Sequence, residues 1–593
     1  MTAATDAAPL PSPVPKARLA SAGDAASPQA LNLLSQALAK PARAAVTPPK
    51  PAVTALKSAV AAIRTQDYAL GTRQALKALE LCERWHLAWH VLAIAREKAG
   101  DLAPALTAYE TALKLAVDEG PIARDLGRLA QRLGYLEIAE KLLLKALELS
   151  PDNSEASNNL ACVLRDQQRY PEAVALLTAC IERSPEIALY WNTLGTVLTD
   201  QGEMAQSLTF FDEALRLQPG DHKALYNRAN ARMALGEPRE ALADIDQAIP
   251  LCADAHETAT MRMARALVLL LLGELEDGFD TYEVRFDPRM KDALAFATDS
   301  ARWTPETDIE GRRLLVFGEQ GLGDEVLFAN VLPDAIRAVG PGGQLTVAVE
   351  HRLVPLFQRS FPEATVVRHR TVRHAGRLAR VAALPAEAER PELHAPIGSL
   401  FRRFRRSLED FPRTPFLAPD GEQVAHWRRT LDALGPEPKV GVLWKSLKLD
   451  GHRARYFSPF ELWRPVLSTP GVRFVNLQYG DCAPELAEAA EQGFDLWTPE
   501  LDLKDDLDGV AALTKALDLV IGPANATLNL AGAVGAPVWL IATPDHWPGF
   551  GSDGWPCYPS ATAFPTDGFA DWDGVMGRVA QALATRAGAA RAA

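Results

Sequence analysis

The feature that most constrains this chain is a period of 34 residues in its first half. Glycines and prolines recur at this spacing or at twice it: Gly100, Gly134, Gly202 and Gly236, and Pro151, Pro185 and Pro219. Small residues and large apolar residues follow the glycines in the same register. A fixed period of this length indicates stacked supersecondary units, because one unit cannot bury its apolar face alone.

The sequence within one period identifies the type of repeat. The segment 191–195 (WNTLG), followed by Phe211, Ala214 and Pro219, resembles the tetratricopeptide repeat. Repeats are expected to start near residues 52, 86, 120, 154, 188 and 222, with a degenerate seventh unit around 259–287 as a cap. The resemblance predicts an all-α superhelix over residues 51–292 that binds a partner protein.

Asparagines on the first helix of several repeats are candidates for binding that partner. Asn158 and Asn192 occupy the fifth position of their repeats, and Asn159 and Asn227 occupy the sixth. An amide side chain both donates and accepts hydrogen bonds, so a row of amides can hold an extended peptide backbone of any sequence. The alternative interpretation is that these are solvated surface side chains.

Composition argues against several classes of partner. The net charge is 62 − 75 = −13, which disfavours nucleic acid because phosphate neutralisation needs a basic surface. No apolar run reaches the roughly 18–20 residues that span a membrane, so a cytoplasmic protein without a membrane partner is expected. The six cysteines form no C-x-x-C pair, and the sequence predicts no metal site and no cofactor.

After about residue 300 the helical period ends and apolar runs alternate with helical stretches. These runs predict buried strands at 313–317, 344–349, 440–444, 472–477, 517–521 and 537–541. Such alternation is typical of parallel sheets covered by helices, with a ligand cleft at the carboxyl ends of the strands. We predict two facing Rossmann-like domains, 313–430 and 431–593, joined to the repeats by a linker at 293–312. Residues 1–50, rich in Ala and Pro, are expected to form a flexible tail.

Two loops that follow predicted strands carry the candidate chemistry. In residues 318–325 (GEQGLGDE), glycines allow a tight turn into a helix, which would place Asp324 at the helix start facing the cleft. Residues 522–532 (GPANATLNLAG) turn from a strand into a helix whose free N–H groups suit a phosphate. For each loop the alternative is an ordinary helix cap.

Basic segments receive two different interpretations. The segment 445–455 contains Lys445 and Arg455 among four lysines and arginines and suits an anionic donor, although a solvated loop is the alternative. The basic runs at 368–380 and 402–406 are interpreted as solvated helix faces.

Several of these motifs together resemble a known family. The glycine loop 318–324, the strand ending in Trp444, the strand end 476–478 (NLQ), the run 530–539 (LAGAVGAPVW) and the segment 555–560 (WPCYPS) resemble bacterial tetratricopeptide-containing glycosyltransferases with a heptosyltransferase-like GT-B module. The length, the tail and the domain order look most like the alphaproteobacterial flagellin glycosyltransferases.

The resemblance implies a metal-independent, inverting protein O-glycosyltransferase. Its repeats would bind an acceptor protein, flagellin, and its cleft would transfer a nonulosonic acid such as pseudaminic acid from a CMP-linked donor to Ser or Thr. The implied general base is Asp324. The implied donor-binding residues are Gly321, Gly323, Lys445, Arg455, Gln478, Asn525, Ala526, Thr527 and Asn529.

Two alternatives to this enzyme remain from the sequence. Asn529 stands where many relatives carry histidine, which favours a non-catalytic repeat adaptor or secretion chaperone with a degenerate transferase module. A lipopolysaccharide heptosyltransferase would explain the second half of the chain and leave the repeats without a purpose.

Overall fold

The computed structural model describes residues 46–290, 293–374, 377–447 and 456–592. The donor-binding candidate Arg455 lies outside the described residues, as does the predicted tail up to residue 45. The described residues form two compact units, which meet between Pro219 and Gly220.

The first unit, residues 46–219, consists of helical hairpins. Its helices are α1 Lys50–Arg64, α2 Tyr68–Leu81, α3 His86–Ala99, α4 Leu102–Leu115, α5 Gly120–Arg132, α6 Leu136–Leu149, α7 Ser154–Asp166, α8 Tyr170–Arg183, α9 Ala188–Gln201 and α10 Met204–Leu217. Gly100 and Gly202 end their helices with φ near 90° and 103°, a conformation that favours glycine. Gly195 lets the helices of its hairpin meet closely, because a Cβ there would lie 2.7 Å from the ring of Phe211.

The second unit, residues 220–592, opens with two further hairpins. They comprise α11 His222–Ala234, α12 Pro238–Ala248, α13 Ala255–Leu271 and α14 Leu275–Tyr282. Hairpins therefore begin close to each position that the 34-residue period predicts, and the expected tetratricopeptide repeats are confirmed. Met263, Ala266 and Leu270 of α13 belong to the same hydrophobic core as the sheets that follow.

The first sheet of this unit has seven strands. They are β1 Ala295–Phe296, β2 Ala301–Arg302, β3 Arg313–Phe317, β4 Gln344–Val349, β5 Thr365–His374, β6 Arg377–Ala382 and β7 Leu393–Pro396, in the order β1-β6-β5-β4-β3-β7-β2. Only the β5–β6 pair is antiparallel. The accompanying helices are α15 Leu322–Phe328, α16 Leu332–Val339, α17 Val354–Ser360 and α18 Phe401–Phe404. The stretch 293–312, assigned to a linker from sequence, contains β1 and β2.

The second sheet has six strands, all parallel. They are β8 Lys439–Val442, β9 Arg473–Asn476, β10 Leu496–Trp497, β11 Leu519–Pro523, β12 Val538–Ala542 and β13 Ala561–Pro565, in the order β10-β9-β8-β11-β12-β13. Its helices are α19 Gly421–Asp432, α20 Arg464–Leu467, α21 Ala483–Glu491, α22 Leu507–Ala516, α23 Ala526–Ala533 and α24 Trp572–Ala592. The predicted α/β architecture of the second half is confirmed at this level.

The interpretation of the two basic runs as solvated helix faces was wrong for residues 368–380 and for Arg405, whereas Arg402 and the exposed Arg403 do lie on α18. Most of residues 368–380 lie on β5 and β6, and Arg380 is buried against Glu325. Arg405, in the second run, is also buried, and its guanidinium donates to the side chain and the carbonyl of Asn330. In both runs a long-range polar partner compensates the burial of a charge that local sequence assigns to solvent.

Across the described ranges, no helix combines the length and apolar character that crossing a membrane requires.

Candidate functional site

A cavity of about 1380 Å³ lies within the second unit, where the carboxyl ends of the two sheets face each other. Loops that follow β3, β4, β8, β9, β11 and β12 all contribute to its lining. Helices α11 and α13 add a less polar wall that includes Tyr226, Met233, Met263 and Leu267. The strand topology thus brings the two predicted loops and the last repeats to one cavity.

The glycine loop after β3 is held in a strained, closely packed conformation. Gln320 has a φ of 58°, in the left-handed region that few non-glycine residues adopt. At Gly318 a Cβ would lie 2.5 Å from the carboxylate of Glu325, so only glycine fits there. Arg380 on β6 donates to the carbonyls of Gly318 and Gln320, the latter at 2.8 Å, and so fixes the loop.

Asp324 lies in the first turn of α15 and lines the cavity together with Gly321 and Gly323. Its Oδ2 accepts the N–H of Gly321 at 2.9 Å. The capping role that sequence left open is therefore real. It does not compete with a position at the cavity wall, because one carboxylate has several acceptor sites.

The start of α23 also lines the cavity. Asn525 caps the helix, its Oδ1 accepting the N–H of Leu528 at 3.1 Å, while its Nδ2 is buried with no partner in the described part of the chain. Helix geometry leaves the N–H groups of Ala526 and Thr527 without an intrahelical acceptor. All three residues line the cavity, so N–H donors and the positive end of a helix dipole face the ligand space.

The two loops approach each other closely. A Cβ on Gly323 would lie 3.2 Å from Nδ2 of Asn529 and 3.5 Å from the backbone nitrogen of Ala526. Asn529 donates to the carbonyl of Asn525 at 2.7 Å and accepts the hydroxyl of Tyr558 at 2.6 Å. Burial raises the pKa of Tyr558 well above its ordinary value, so this hydroxyl keeps its proton and donates. Asn529 therefore lines the cavity while holding the α23 turn to Tyr558.

Two further donor-binding candidates, Gln478 and Lys445, are not part of the cavity lining. The amide of Gln478 accepts the N–H groups of Trp444 and Lys445 and donates to the carbonyls of Lys445 and Tyr479, tying together the loops after β8 and β9. The ammonium of Lys445 pairs with Glu485 on α21. Among the described residues that line the cavity, neither Gln478 nor Lys445 occurs.

The repeat asparagines differ in burial. Asn158 is buried, and its amide oxygen accepts a hydrogen bond from the hydroxyl of Thr193 in the next repeat. It therefore joins the first helices of two successive repeats. Asn192 is buried as well, whereas Asn159 and Asn227 are half-buried. The solvated-surface alternative does not describe Asn158 or Asn192.

Sequence reasoning missed two buried ionic clusters that hold the glycine loop. Glu319 accepts both ends of the Arg285 guanidinium, at 2.8 and 2.9 Å. Glu325 accepts from His369 and Arg380 at 2.8 and 2.7 Å. The only local signal was the pair of glutamates flanking the loop, since their basic partners lie 34 to 55 positions away in the chain.

One group of potential metal ligands occurs in the described part of the chain. His222, Cys252 and Glu257 bring their donor atoms within 4.8 Å of one another. His222 and Glu257 already form a hydrogen bond of 3.0 Å, and Lys223 pairs with the same glutamate. Because these residues lie outside the cavity lining, they contribute nothing to its chemistry.

A buried histidine in the cavity wall makes stability depend on pH. Burial lowers the pKa of His546 from 6.5 to about 4, so the folded protein binds fewer protons than the unfolded chain between these values. The contribution of His546 to the free energy of unfolding is therefore complete above about pH 6.5. It falls by about 1–3 kcal/mol as the pH drops toward 4. Chemical denaturation at pH 7 and pH 4.5 should show this loss, and His546→Gln should reduce it. An equal loss in the variant would contradict the assignment.

Comparison with known proteins agrees with the repeat architecture. The tetratricopeptide repeat family matches residues 124–179, 158–222 and 226–290. Protein FlbA of Caulobacter vibrioides is 49% identical over 521 residues, covering 87% of each chain. The chain belongs to the FlbA family. A match of this length includes most of the repeats and most of the α/β half.

Solved structures add little to the FlbA relationship. A tetratricopeptide repeat protein from Parabacteroides merdae is 17% identical, with a TM-score of 0.34, and the match covers 40% of this chain and 92% of that one. The repeat protein TTC0263 of Thermus thermophilus is 21% identical, with a TM-score of 0.29, over 31% of this chain and 99% of that one. Scores this low carry no argument about function.

Proposed function

We propose that this member of the FlbA family is a protein O-glycosyltransferase with a GT-B catalytic module. In this proposal the repeats bind flagellin, and the cavity transfers a nonulosonic acid from a CMP-linked donor to a Ser or Thr hydroxyl. The observation that carries the proposal is the cavity itself. It combines a helix start rich in N–H donors, a carboxylate in a glycine loop and the face of the last repeats.

The donor side of the proposal rests on α23. A nucleotide sugar carries its negative charge on phosphate, and free N–H groups at a helix start stabilise that charge. Ala526 and Thr527 supply such groups, and Asn525 adds a buried N–H donor that has no acceptor among the described residues. These donors would also hold the leaving phosphate as the bond to the sugar breaks.

The reaction also needs one proton acceptor. The acceptor oxygen forms a bond to the anomeric carbon while the bond from that carbon to the phosphate oxygen breaks, inverting the configuration. The hydroxyl proton passes to a carboxylate, for which Asp324 is the candidate, because it lines the cavity beside the start of α23. Every charge in this scheme is balanced without a metal ion, and we propose none.

The acceptor side rests on the repeats. Helices α11 and α13 line the same cavity as Asp324, so a protein segment lying along the last repeats would present its hydroxyl to the carboxylate. Repeat proteins of this type use such faces to bind other proteins. Flagellin is proposed as that protein because the sequence motifs resemble the flagellin glycosyltransferases.

A second function, a non-catalytic adaptor, is favoured by one observation. Asn529 is committed to hydrogen bonds with Asn525 and Tyr558, and it replaces the histidine of many relatives. The adaptor would bind flagellin through the repeats and transfer nothing.

The test is transfer by the full chain. Purified flagellin is incubated with CMP-pseudaminic acid and the protein, and its intact mass is measured. The expected result is a mass increase of one or more sugar residues. Flagellin that binds the protein but gains no mass would support the adaptor. Calorimetric titration with CMP, UDP and ADP tests the nucleotide, and a response to UDP or ADP alone would contradict the CMP-linked donor.

A further inference from the structure

His369 occupies a place in the cavity that the proposed reaction does not use. It lies on β5, one residue beyond the last pair with β4, Arg368 with Val349, and so at the carboxyl edge of the first sheet. It lines the cavity along with Asp324, and its side chain is only 6% exposed. Burying an imidazole at a cavity wall is costly unless its nitrogens are satisfied.

One nitrogen of His369 is satisfied by the protein. Nε2 lies 2.8 Å from Oε1 of Glu325, a buried carboxylate that also accepts the N–H of Glu350 at 2.8 Å. Burial alone would raise the pKa of Glu325, but the charges of His369 and Arg380 and these hydrogen bonds lower it below its ordinary value. The glutamate is therefore an anionic acceptor, and Nε2 carries the proton that faces it.

Arg380 does not change this assignment. Its Nη1 lies 2.9 Å from Nε2 of His369, but the same Nη1 donates to Oε1 of Glu325 and to the carbonyl of Gly318. A guanidinium offers only donors, so it is compatible with a protonated Nε2 when it has these other acceptors. With Nε2 directed at Glu325, Nδ1 is the imidazole nitrogen that is left for a ligand.

The other nitrogen has no partner among the described residues. Nδ1 of His369 is buried and makes no hydrogen bond to any described residue. A buried polar atom without a hydrogen bond is destabilising, and such atoms are uncommon in folded proteins. Four further buried atoms without a described hydrogen-bond partner belong to residues that line the same cavity: Nε of Arg380, Nδ2 of Asn525, Nε2 of His546 and Nε1 of Trp555.

We infer that His369 is a ligand-binding residue whose Nδ1 accepts a hydrogen bond from a hydroxyl group in the cavity. Glu325 acts as its positioning residue by fixing the proton on Nε2. The hydroxyl belongs to the donor sugar or to the acceptor side chain, and the inference rests on the glycosyl transfer proposed above. A neutral hydrogen bond of this kind is worth about 0.5–1.5 kcal/mol, or roughly 2- to 13-fold in affinity or rate.

The test separates the two nitrogens. In His369→Gln the side-chain amide can still donate to Glu325 from near the Nε2 position, but the acceptor at Nδ1 is gone. His369→Asn places an amide oxygen near Nδ1 and gives up the contact with Glu325. His426→Gln, at an exposed histidine on α19 outside the cavity lining, is the matched control.

Each variant is measured for its affinity for CMP-pseudaminic acid and for CMP alone, and for its rate of transfer to flagellin. If the hydroxyl is on the sugar, His369→Gln should lower the affinity for CMP-pseudaminic acid roughly 2- to 13-fold and leave the affinity for CMP unchanged. If the hydroxyl is on the acceptor, both affinities should hold while transfer falls by a similar factor. His369→Asn should retain more of the affected property than His369→Gln, and His426→Gln should match the wild type.

Three results would overturn the inference. Equal sugar-nucleotide affinity and equal transfer in His369→Gln and the wild type would show that Nδ1 meets no ligand. Equal weakening of CMP and CMP-pseudaminic acid would show a structural role only. If the wild type itself binds no nucleotide sugar and transfers none, the proposed function fails and the inference fails with it, a pattern distinct from the first two.

Discussion

Asp324→Asn is expected to lower the rate of sugar transfer about 10²- to 10⁴-fold while the fold stays intact. Asparagine has the same shape and keeps an oxygen that can accept the N–H of Gly321, so the cap of α15 survives. It loses the negative charge that, in the proposed reaction, takes the proton of the attacking hydroxyl. The expected loss is therefore in the chemical step, with little change in donor affinity or melting temperature.

The matched control for Asp324→Asn is Asp308→Asn. Asp308 is exposed, lies outside the cavity lining and likewise accepts a nearby backbone N–H, that of Glu310 at 3.1 Å. Single-turnover transfer to flagellin followed by intact mass gives the rate. A folded Asp324→Asn protein that transfers as fast as the control would remove Asp324 from the proton step.

The helical repeats could be predicted from sequence because their spacing is set along the chain. Glycines such as Gly100 and Gly202 mark turns that need a left-handed residue, and Gly195 marks a close helix crossing. Each requirement involves residues within one hairpin. A pattern of 34 residues therefore carries the whole local structure, and the observed helices begin where it places them.

The sheets were predictable only where strands are apolar on both faces. The apolar runs at 313–317 and 344–349 coincide with β3 and β4. The paired strands β5 and β6 carry Arg370, Arg373 and Arg380 and read as basic surface, yet Arg380 is buried. Its burial depends on Glu325, 55 residues earlier, and the sequence around Arg380 does not indicate that partner.

The candidate site shows the same limit. Sequence alone placed Asp324, Asn525 and Thr527 on loops after strands, and the structure brings these loops to one cavity. The sequence could not show that Gln478 connects two loops or that Asn158 joins two repeats, because both roles depend on partners 33 to 35 residues away. In each case the residue type predicted a hydrogen bond. The partner in the folded structure determines what that hydrogen bond connects.

The second large effect is expected at the buried pair of Arg285 and Glu319. Glu319 is fully buried and accepts two hydrogen bonds from Arg285 and one, at 2.8 Å, from the N–H of Gly398. Arg285 also lies over the rings of Tyr282 and Phe286 at 4.2 and 4.1 Å. The pair thus fastens the segment after α14 to the first residues of the glycine loop.

Glu319→Ala should lower the free energy of unfolding by about 3–5 kcal/mol, because it leaves a buried guanidinium without its main counter-ion. The double variant Arg285→Leu, Glu319→Leu should recover much of this loss, since the guanidinium is removed together with its counter-ion and Glu283, which also pairs with Arg285, keeps its pair with Arg302. Asp567→Asn, which breaks the exposed pair with Arg578, should change stability by no more than about 1 kcal/mol.

Denaturant unfolding of the full chain, followed by tryptophan fluorescence, measures all three variants. A loss below about 1 kcal/mol in Glu319→Ala would mean that the pair contributes no more than a surface contact. Because Glu319 precedes Asp324 by five residues in the glycine loop, the double variant tests a further consequence. It should regain stability without regaining transfer, since leucines cannot hold the glycine loop through the N–H of Gly398 or place Asp324 at the cavity wall.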